Sequence, residues 1–372
     1  MIELITEPTY VARIKVVGVG GAGCNAIQFL VDAGVRGVEY IAANTDIQVL
    51  ERIKVANRIQ LGPECTRGLG AGGDPEIGRK AAEESRGEIR DKLSDTDMVF
   101  ITAGMGGGTG TGGTPIIAEE AKDLGALVVA VVTKPFDFEE KRKNKIAELG
   151  IEELKSKVDT LITIPNQRLL AIAARQTVDE AFRAGTQVLF NATSSIAELI
   201  TRPGLINLDF ADIRTVMSER GSALMGMGYG EGENRAQMAA ASAISSPLLD
   251  DLSIKGAKGL IINISGGNDL TLAEVDEANS IVVEAAGGDP IVFSGVVTGE
   301  ENLEGKVKVS VIATGIEEPV PIRKETELAI LEKRKPDFEP PTFIRQRRRE
   351  VKVPLVDEDN LDIPTFLRRQ SD

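Results

Sequence analysis

From Arg13 onward the apolar positions fall into short continuous runs, separated by glycine-rich turns and by stretches in which apolar residues recur every three or four positions. The runs Ile14 to Val19, Val38 to Ala42, Met98 to Thr102 and Leu127 to Val132 have the length and branched side chains of strands buried on both faces. Between them, Ala26 to Ala33 and Ile116 to Leu124 carry helical spacing. Strands interleaved with helices in this way predict a doubly wound parallel sheet, an α/β fold whose ligands sit at the carboxyl ends of the strands. The stretch Val178 to Thr201 is periodic throughout and closes on Arg202-Pro203-Gly204, which predicts one long connecting helix. Strands at Gly259 to Ser265, Pro290 to Val297 and Lys306 to Ala313, with a helix at Leu272 to Ala286, then predict a second, smaller mixed α/β domain.

This pattern divides the chain into an N-terminal extension (1–12), a first, larger α/β domain (13–177), the connecting helix (178–201), a smaller domain (202–316), a linker (317–360) and a terminal peptide (361–372). The linker is rich in Pro, Glu, Lys and Arg and too poor in apolar residues to fold alone. Its basic run Arg345-Gln346-Arg347-Arg348-Arg349 reads as a solvated segment or as weak attraction to an anionic surface. Apolar character returns in Leu361 to Arg369, and a short apolar peptide on a polar tether reads as a docking segment.

Composition narrows the chemistry. At 372 residues the chain exceeds one ordinary core, and 42% apolar with 27% charged residues is a common globular balance. Two cysteines make no disulfide framework and no secretory signal is evident, so a cytoplasmic location is expected, with membrane contact only indirect. A net charge of −14 argues against nucleic acid as a specific partner. The absence of histidine removes Ser-His-Asp and Cys-His mechanisms and the usual nitrogen ligands of zinc, leaving carboxylates, hydroxyls and a hard cation.

The run Gly106-Gly107-Gly108-Thr109-Gly110-Thr111-Gly112 follows an expected strand and opens toward an expected helix. Bare backbone N–H groups, a helix terminus and two Thr hydroxyls would make it a phosphate cradle. It lacks the Gly-Lys-Ser/Thr ending of a P-loop, so the balancing charge would come from a cation such as Mg²⁺. A second loop, Gly18-Val19-Gly20-Gly21-Ala22-Gly23 with Asp46 beyond it, satisfies the dinucleotide pattern and by itself allows an NAD-dependent oxidoreductase. The third loop, Gly68 to Gly73, favours a triphosphate, because a dinucleotide needs only one pyrophosphate cradle. Asp209 and Asp212 stand three apart near an expected helix start, where they share a face and could polarise a water or simply cap the helix. Both ionised, they would repel a triphosphate held in the same subunit.

The set Gly20 to Asn25, Asn44-Thr45-Asp46, Gly70 to Pro75, Gly106 to Gly112, Thr133-Lys134-Pro135-Phe136 and Asn207 to Asp212, with the tail 361–369, resembles the FtsZ family of tubulin-related division GTPases. The resemblance covers nearly the whole chain. It implies a tubulin/FtsZ-like fold that binds GTP or GDP with Mg²⁺, K⁺ being a second candidate. It also implies head-to-tail protofilaments forming a ring at mid-cell, and a tail bound by membrane-tethering and division-regulating proteins. By the same resemblance Gly21, Ala22, Gly23, Cys24 and Asn25, with Gly108, Thr109 and Gly110, would contact phosphates, Gly20 and Gly107 would belong to the same nucleotide-binding set, and Gly72 would close over the terminal phosphate. Glu139 would hold the ribose, Asn166 would hydrogen-bond the base and Phe182 would stack on it. Asn44, Thr133, Lys143 and Thr186 complete the implied nucleotide set, and Gln48 would hold metal-bound water. Asn207, Asp209 and Asp212 would act on the γ-phosphate of a neighbouring subunit. The chain departs from the family pattern at Glu140, where the family has Gly, at Lys143, where it has Arg, and at Thr186, where it has Asn or Asp. A filament scaffold with weak hydrolysis is the alternative those departures allow.

Overall fold

The structure, a computed structural model, describes residues 12–173, 177–201, 206, 208–219, 222–246, 249, 253–299 and 303–316. The expected linker and terminal peptide lie outside the described residues, as does all but Ala12 of the N-terminal extension.

The apolar runs form strands because each places side chains on two faces that helices then cover. Strands β1 (Ile14–Val19), β2 (Val38–Asn44), β3 (Asn57–Gln60), β4 (Met98–Gly104), β5 (Leu127–Lys134) and β6 (Thr160–Pro165) are parallel, in the order β3-β2-β1-β4-β5-β6. Val16 stands opposite Tyr40 on one side and Phe100 on the other, so the strand order reverses at β1, where a doubly wound sheet opens its ligand crevice. The sheet continues through β7 (Ser222–Glu231), β10 (Lys306–Ile316), β8 (Gly259–Gly266) and β9 (Ile291–Val297). Strand β10 is antiparallel to both of its neighbours, and Leu161 of β6 pairs with Ser222 of β7.

Helices α1 (Gly20–Asp32), α2 (Ile47–Arg52), α3 (Pro63–Thr66), α4 (Pro75–Glu84), α5 (Arg86–Leu93) and α6 (Gly108–Asp123) belong to the first crossovers. They are followed by α7 (Lys141–Lys155), α8 (Asn166–Ala173), α9 (Val178–Thr201), α10 (Phe210–Met217), α11 (Arg235–Ile244) and α12 (Leu272–Ala286). One cluster joins Val16, Phe100, Val129 and Val131 to α1, α9 and α10, and extends to Ile261 and Ile312. Alternate residues of the same strands, such as Val17, Ile101 and Val128, meet α4 to α7 on the other face. A third cluster packs α11 and α12 on Leu260, Ile262, Val309 and Val311. A fully buried Phe or Ile of this kind contributes about 1.5–3 kcal/mol.

Helices α9 and α12 have the expected bounds, but two others begin earlier than their periodicity predicts. Helix α1 starts at Gly20 rather than Ala26, and α6 at Gly108 rather than Ile116. Glycine's low helix propensity is overridden there by close packing: a Cβ on Gly112 would stand 2.0 Å from the Pro75 carbonyl oxygen of α4.

Candidate functional site

At the carboxyl end of β1 the chain turns directly into α1, with Gly20 at φ +70°, a conformation that favours glycine. Gly23 brings α1 onto β4, since a Cβ there would lie 2.2 Å from the Thr102 carbonyl oxygen, and a Cβ on Gly18 would strike the Gly23 carbonyl at 2.4 Å. Two glycines of the dinucleotide-like pattern are therefore explained by packing. Gly21, by contrast, faces open space, as do Gly72 and Gly107. Gly107 caps α6, while a Cβ on Gly110 would meet the Gly104 carbonyl oxygen at 2.4 Å and one on Gly108 would meet Ala71 at 2.7 Å. Open glycines at the termini of α1 and α6 thus sit on a base of packed ones.

The surrounding polar groups hold this shape. The Thr109 and Thr45 hydroxyls lie 2.6 Å apart, Gly70 donates to the Thr45 carbonyl (3.2 Å), and Ile47 donates to the Gly68 carbonyl (3.2 Å). Thr111 does not serve as the expected second hydroxyl donor: it is buried and its oxygen accepts the Gly106 N–H at 2.9 Å. Cys24 points its thiol inward, 3.8 Å from the Gly18 carbonyl and 3.9 Å from that of Ala43, and burial pushes its pKa up to about 12. Asn44 is buried behind it, with Nδ2 on the Cys24 sulfur (3.8 Å) and Oδ1 accepting the Asp46 N–H (3.2 Å). Gln48 is exposed on the first turn of α2, where its N–H donates to Asp46.

Beside these termini a cleft of about 810 Å³ lies between α1 and α9, over the ends of β4, β5 and β6. It brings together Ala22, Asn25, Gly107, Thr133, Glu139, Lys143, Asn166, Phe182 and Thr186 from the expected set. Gly20, Gly21, Gly23, Cys24, Asn44, Gln48, Gly72, Gly108, Thr109 and Gly110 do not line it. Glu139 accepts the Phe136 N–H at 3.1 Å and pairs with Lys143 at 3.3 Å. Phe182 meets Phe136 edge-on with ring centroids 5.4 Å apart, and Phe138 at 6.2 Å. The Thr186 hydroxyl donates to the Phe182 carbonyl one turn back at 3.2 Å. Asn166 is buried and its Oδ1 has no partner, so the cleft presents an orphaned acceptor of the kind a bound base would satisfy.

The sequence reading missed Gln28, Phe29, Asp32, Met105 and Arg183, which also line the cleft. For Phe29 and Asp32 a signal was available in helical spacing, while Gln28, Met105 and Arg183 carried none. Ala22, Asn25, Phe29 and Asp32 fall on one face of α1, and Phe182, Gly185, Thr186 and Leu189 on one face of α9.

The acidic pair stands elsewhere. Asp209 is the N-cap of α10 and accepts the Asp212 N–H at 2.8 Å; Asp212 lies in the first turn. Helix α10 is pinned to the amino-terminal side of the sheet, where Arg214 donates to the carbonyl of Gly125, just before β5, at 3.1 Å, and Thr160, the first residue of β6, donates to the Met217 carbonyl. Eight residue steps, from Gly125 along β5 to Thr133, separate this side from the cleft, roughly 25 Å at strand rise. Asn207 lies outside the described residues. Among the described residues no group of three or more His, Cys, Asp and Glu is placed to hold a metal, and no helix is long and apolar enough to cross a membrane.

A doubly wound sheet with three glycine loops at its switch point, one long helix beside the cleft and a mixed sheet beyond it defines the tubulin/FtsZ class of GTPase. Residues 13–174 match the model of the Tubulin/FtsZ family GTPase domain, and residues 221–317 that of the FtsZ family C-terminal domain. The cell division protein FtsZ of Coxiella burnetii is 46% identical over 99% of each chain. That of Caulobacter vibrioides is 51% identical over 86% of this chain, which spans 64% of that relative's length. Among solved structures, an empty FtsZ dimer from M. jannaschii superposes with TM-score 0.80 at 46% identity, covering 83% of this chain and 90% of that one. A GTPγS-bound CetZ2 protofilament from Haloferax volcanii shares the fold at TM-score 0.68 and 21% identity, over 86% of this chain and 97% of that one. The chain belongs to the FtsZ family, the cell-division branch of the tubulin-like GTPases.

Proposed function

We propose that this chain binds GTP in the cleft between α1 and α9 and hydrolyses it to GDP and phosphate when a second copy docks head to tail. The observation that carries this reading is the separation of the open glycines and cleft from Asp209 and Asp212 by the length of β5. One subunit cannot apply both to one nucleotide; a stacked neighbour can, and a repeating heterologous contact of that kind builds a filament.

In this reading the backbone N–H groups at Gly21, Ala22 and Gly107 to Gly110 hold the phosphates, with Gly72 able to approach closely because nothing stands over it. Cys24 contributes only its backbone. Glu139 and Lys143 face the ribose, Asn166 offers Oδ1 to the base and Phe182 stacks on it. Asp212 orients the attacking water from the neighbouring subunit, while Asp209 holds the helix start. A divalent cation would offset phosphate charge, bound chiefly through phosphate oxygens, with Gln48 reaching it through water. The remaining proposals are assembly at mid-cell and recruitment of tethering and regulatory proteins through residues 361–369.

A mixing experiment tests the shared site. Asp212→Ala removes the water-orienting group, and Gly107→Asp places a carboxylate in the cradle, where the backbone has φ −91° and open space. Each variant alone should release no phosphate from GTP, and an equimolar mixture should recover turnover above a threshold concentration, with light scattering rising in step. A mixture as inactive as its components overturns the reading.

A further inference from the structure

Attack of water on a phosphoanhydride leaves a proton to be placed, and no side chain of this protein ordinarily takes one up near neutral pH. The chain has no histidine. Its two thiols stay protonated there: burial carries Cys24 to about 12, and partial desolvation with the neighbouring Glu84 carboxylate raises Cys65. The acceptors that remain are carboxylates, which ordinarily ionise at about 4.

Most carboxylates around the two halves of the site are already committed. Beside the glycine loops, Asp46 caps α2 by accepting the Gln48 N–H at 2.9 Å, and Asp74 caps α4 by accepting that of Glu76 at 2.9 Å. In the cleft, Asp32 accepts from Gln28 Nε2 at 2.8 Å, and Glu139 is held by the Phe136 N–H and by Lys143. Asp209 caps α10 on the far side of the sheet. Strands β8 and β9, against which α10 packs, carry no titratable side chain, and Arg214, the other charged group on α10, donates to the Gly125 carbonyl. The Asp212 carboxylate accepts no hydrogen bond among the described residues, so both its oxygens are available to a water.

We infer that the proton of the attacking water passes to the γ-phosphate of GTP itself, and that Asp212 of the neighbouring subunit positions the water without taking that proton. This rests on the reading of the cleft and Asp212 as one shared GTPase site. A proton acceptor works best when it ionises near the working pH, and a phosphate monoester does so at about 6, closer to neutral than a carboxylate. The loose transition state of phosphoryl transfer asks for positioning more than for a strong base. The water oxygen bonds to the γ-phosphorus as the bond to the bridging oxygen breaks, and that electron pair leaves with GDP. One of the water's two protons moves to a γ-phosphoryl oxygen, so the products are GDP and dihydrogen phosphate, and the Asp212 carboxylate ends as it began.

The test measures phosphate release per pelleted subunit in the full chain, at saturating GTP, from about pH 5.5 to 8.5. Phosphorus NMR of GTP bound to Asp212→Ala gives the pH at which the bound γ-phosphate ionises. Turnover of the unaltered protein should follow that ionisation. Asp212→Asn keeps an oxygen to aim the water but cannot hold a proton at these pH values, so it should turn over about tenfold more slowly with the same pH profile. An unaltered protein that releases no phosphate at any concentration, or an Asp212→Ala that binds no GTP, would sink the shared site and the inference with it. With the shared site intact, a loss of about a hundredfold or more in Asp212→Asn, the worth of a general base, or a turnover profile that departs from the phosphate's ionisation overturns the inference alone. A smaller loss with an unmoved profile supports it.

Discussion

The Asp209 carboxylate accepts the backbone N–H of Asp212 at 2.8 Å, so the two acids of the α10 start have different work. Asp209 satisfies an orphan donor of the helix, whereas the Asp212 side chain is not required for the cap. Asp209→Ala should lower stability by about 1 kcal/mol, and Asp209→Asn, which keeps a capping oxygen, should retain most of it. Asp212→Ala should leave unfolding midpoint and GDP affinity within error of the unaltered protein while abolishing phosphate release. Loss of GDP binding in Asp212→Ala would place that carboxylate in its own subunit's pocket.

Glu140 supplies the second prediction. It precedes α7 at φ +144° and ψ 137°, a region that glycine enters freely and other residues occupy only under strain, and its side chain makes no cap bond. Strain of this kind costs about 1–3 kcal/mol, against about 1 kcal/mol for the greater unfolded-state freedom of glycine. Glu140→Gly should therefore stabilise the protein by about 1 kcal/mol, read as a thermal midpoint higher by about 2 °C. An unchanged or lower midpoint would show that α7 relaxes around Glu140 at no cost.

The elements legible in the sequence were those whose side-chain pattern alone decides the structure. Val178–Thr201 and Leu272–Ala286 carry unbroken helical spacing, and the second is bounded by Thr271, which forms a capping box with Glu274, and by Gly287. Strand β7 was not legible, because Gly226, Gly228 and Gly230 look like a turn. Their period of two is instead the footprint of α11: Cβ atoms at these positions would lie 2.1, 2.1 and 1.8 Å from the carbonyl oxygens of Ala243, Ala239 and Arg235. The phosphate-side glycines were found as motifs, but which of them pack and which stay open depends on backbone neighbours far away in sequence. Phe29 was missed for a related reason: a residue lining a cleft has the same spacing as one lining a core.

Thr186 bears on base selectivity. Its hydroxyl donates to the Phe182 carbonyl, so one oxygen remains to accept from a base, where a carboxylate would offer two to the N1 and N2 hydrogens of guanine. The ratio of GTP to ATP affinity should be modest in this chain, and Thr186→Asp should raise it by about tenfold, the worth of one charge-assisted hydrogen bond. Competition binding on both proteins checks this. A strong GTP preference that Thr186→Asp fails to increase would mean that Asn166 alone reads the guanine edge.

The pairing of Arg235 with Glu274 predicts a pH dependence separate from catalysis. The guanidinium, 8% exposed, forks onto Glu274 with Nε–Oε1 at 2.5 Å and Nη2–Oε2 at 3.1 Å, joining α11 to α12, and it also binds the Asp269 carboxylate and, at 2.9 Å, the Asp269 carbonyl. These hydrogen bonds hold the Glu274 carboxyl down to about 2 from its ordinary 4.5 and lower Asp269 as well; the Thr271 cap adds to the effect on Glu274. A carboxyl that is more acidic in the folded chain contributes its full stability above the unfolded value, and loses it as pH falls through the folded one. The thermal midpoint should therefore decline as the pH drops from about 4.5 toward 2. Glu274→Gln, which cannot ionise, should start lower at neutral pH and decline less steeply over that window. Parallel curves for the two proteins would mean that the ion pair contributes nothing to folding, and that α11 and α12 are joined by their alanine-rich packing alone.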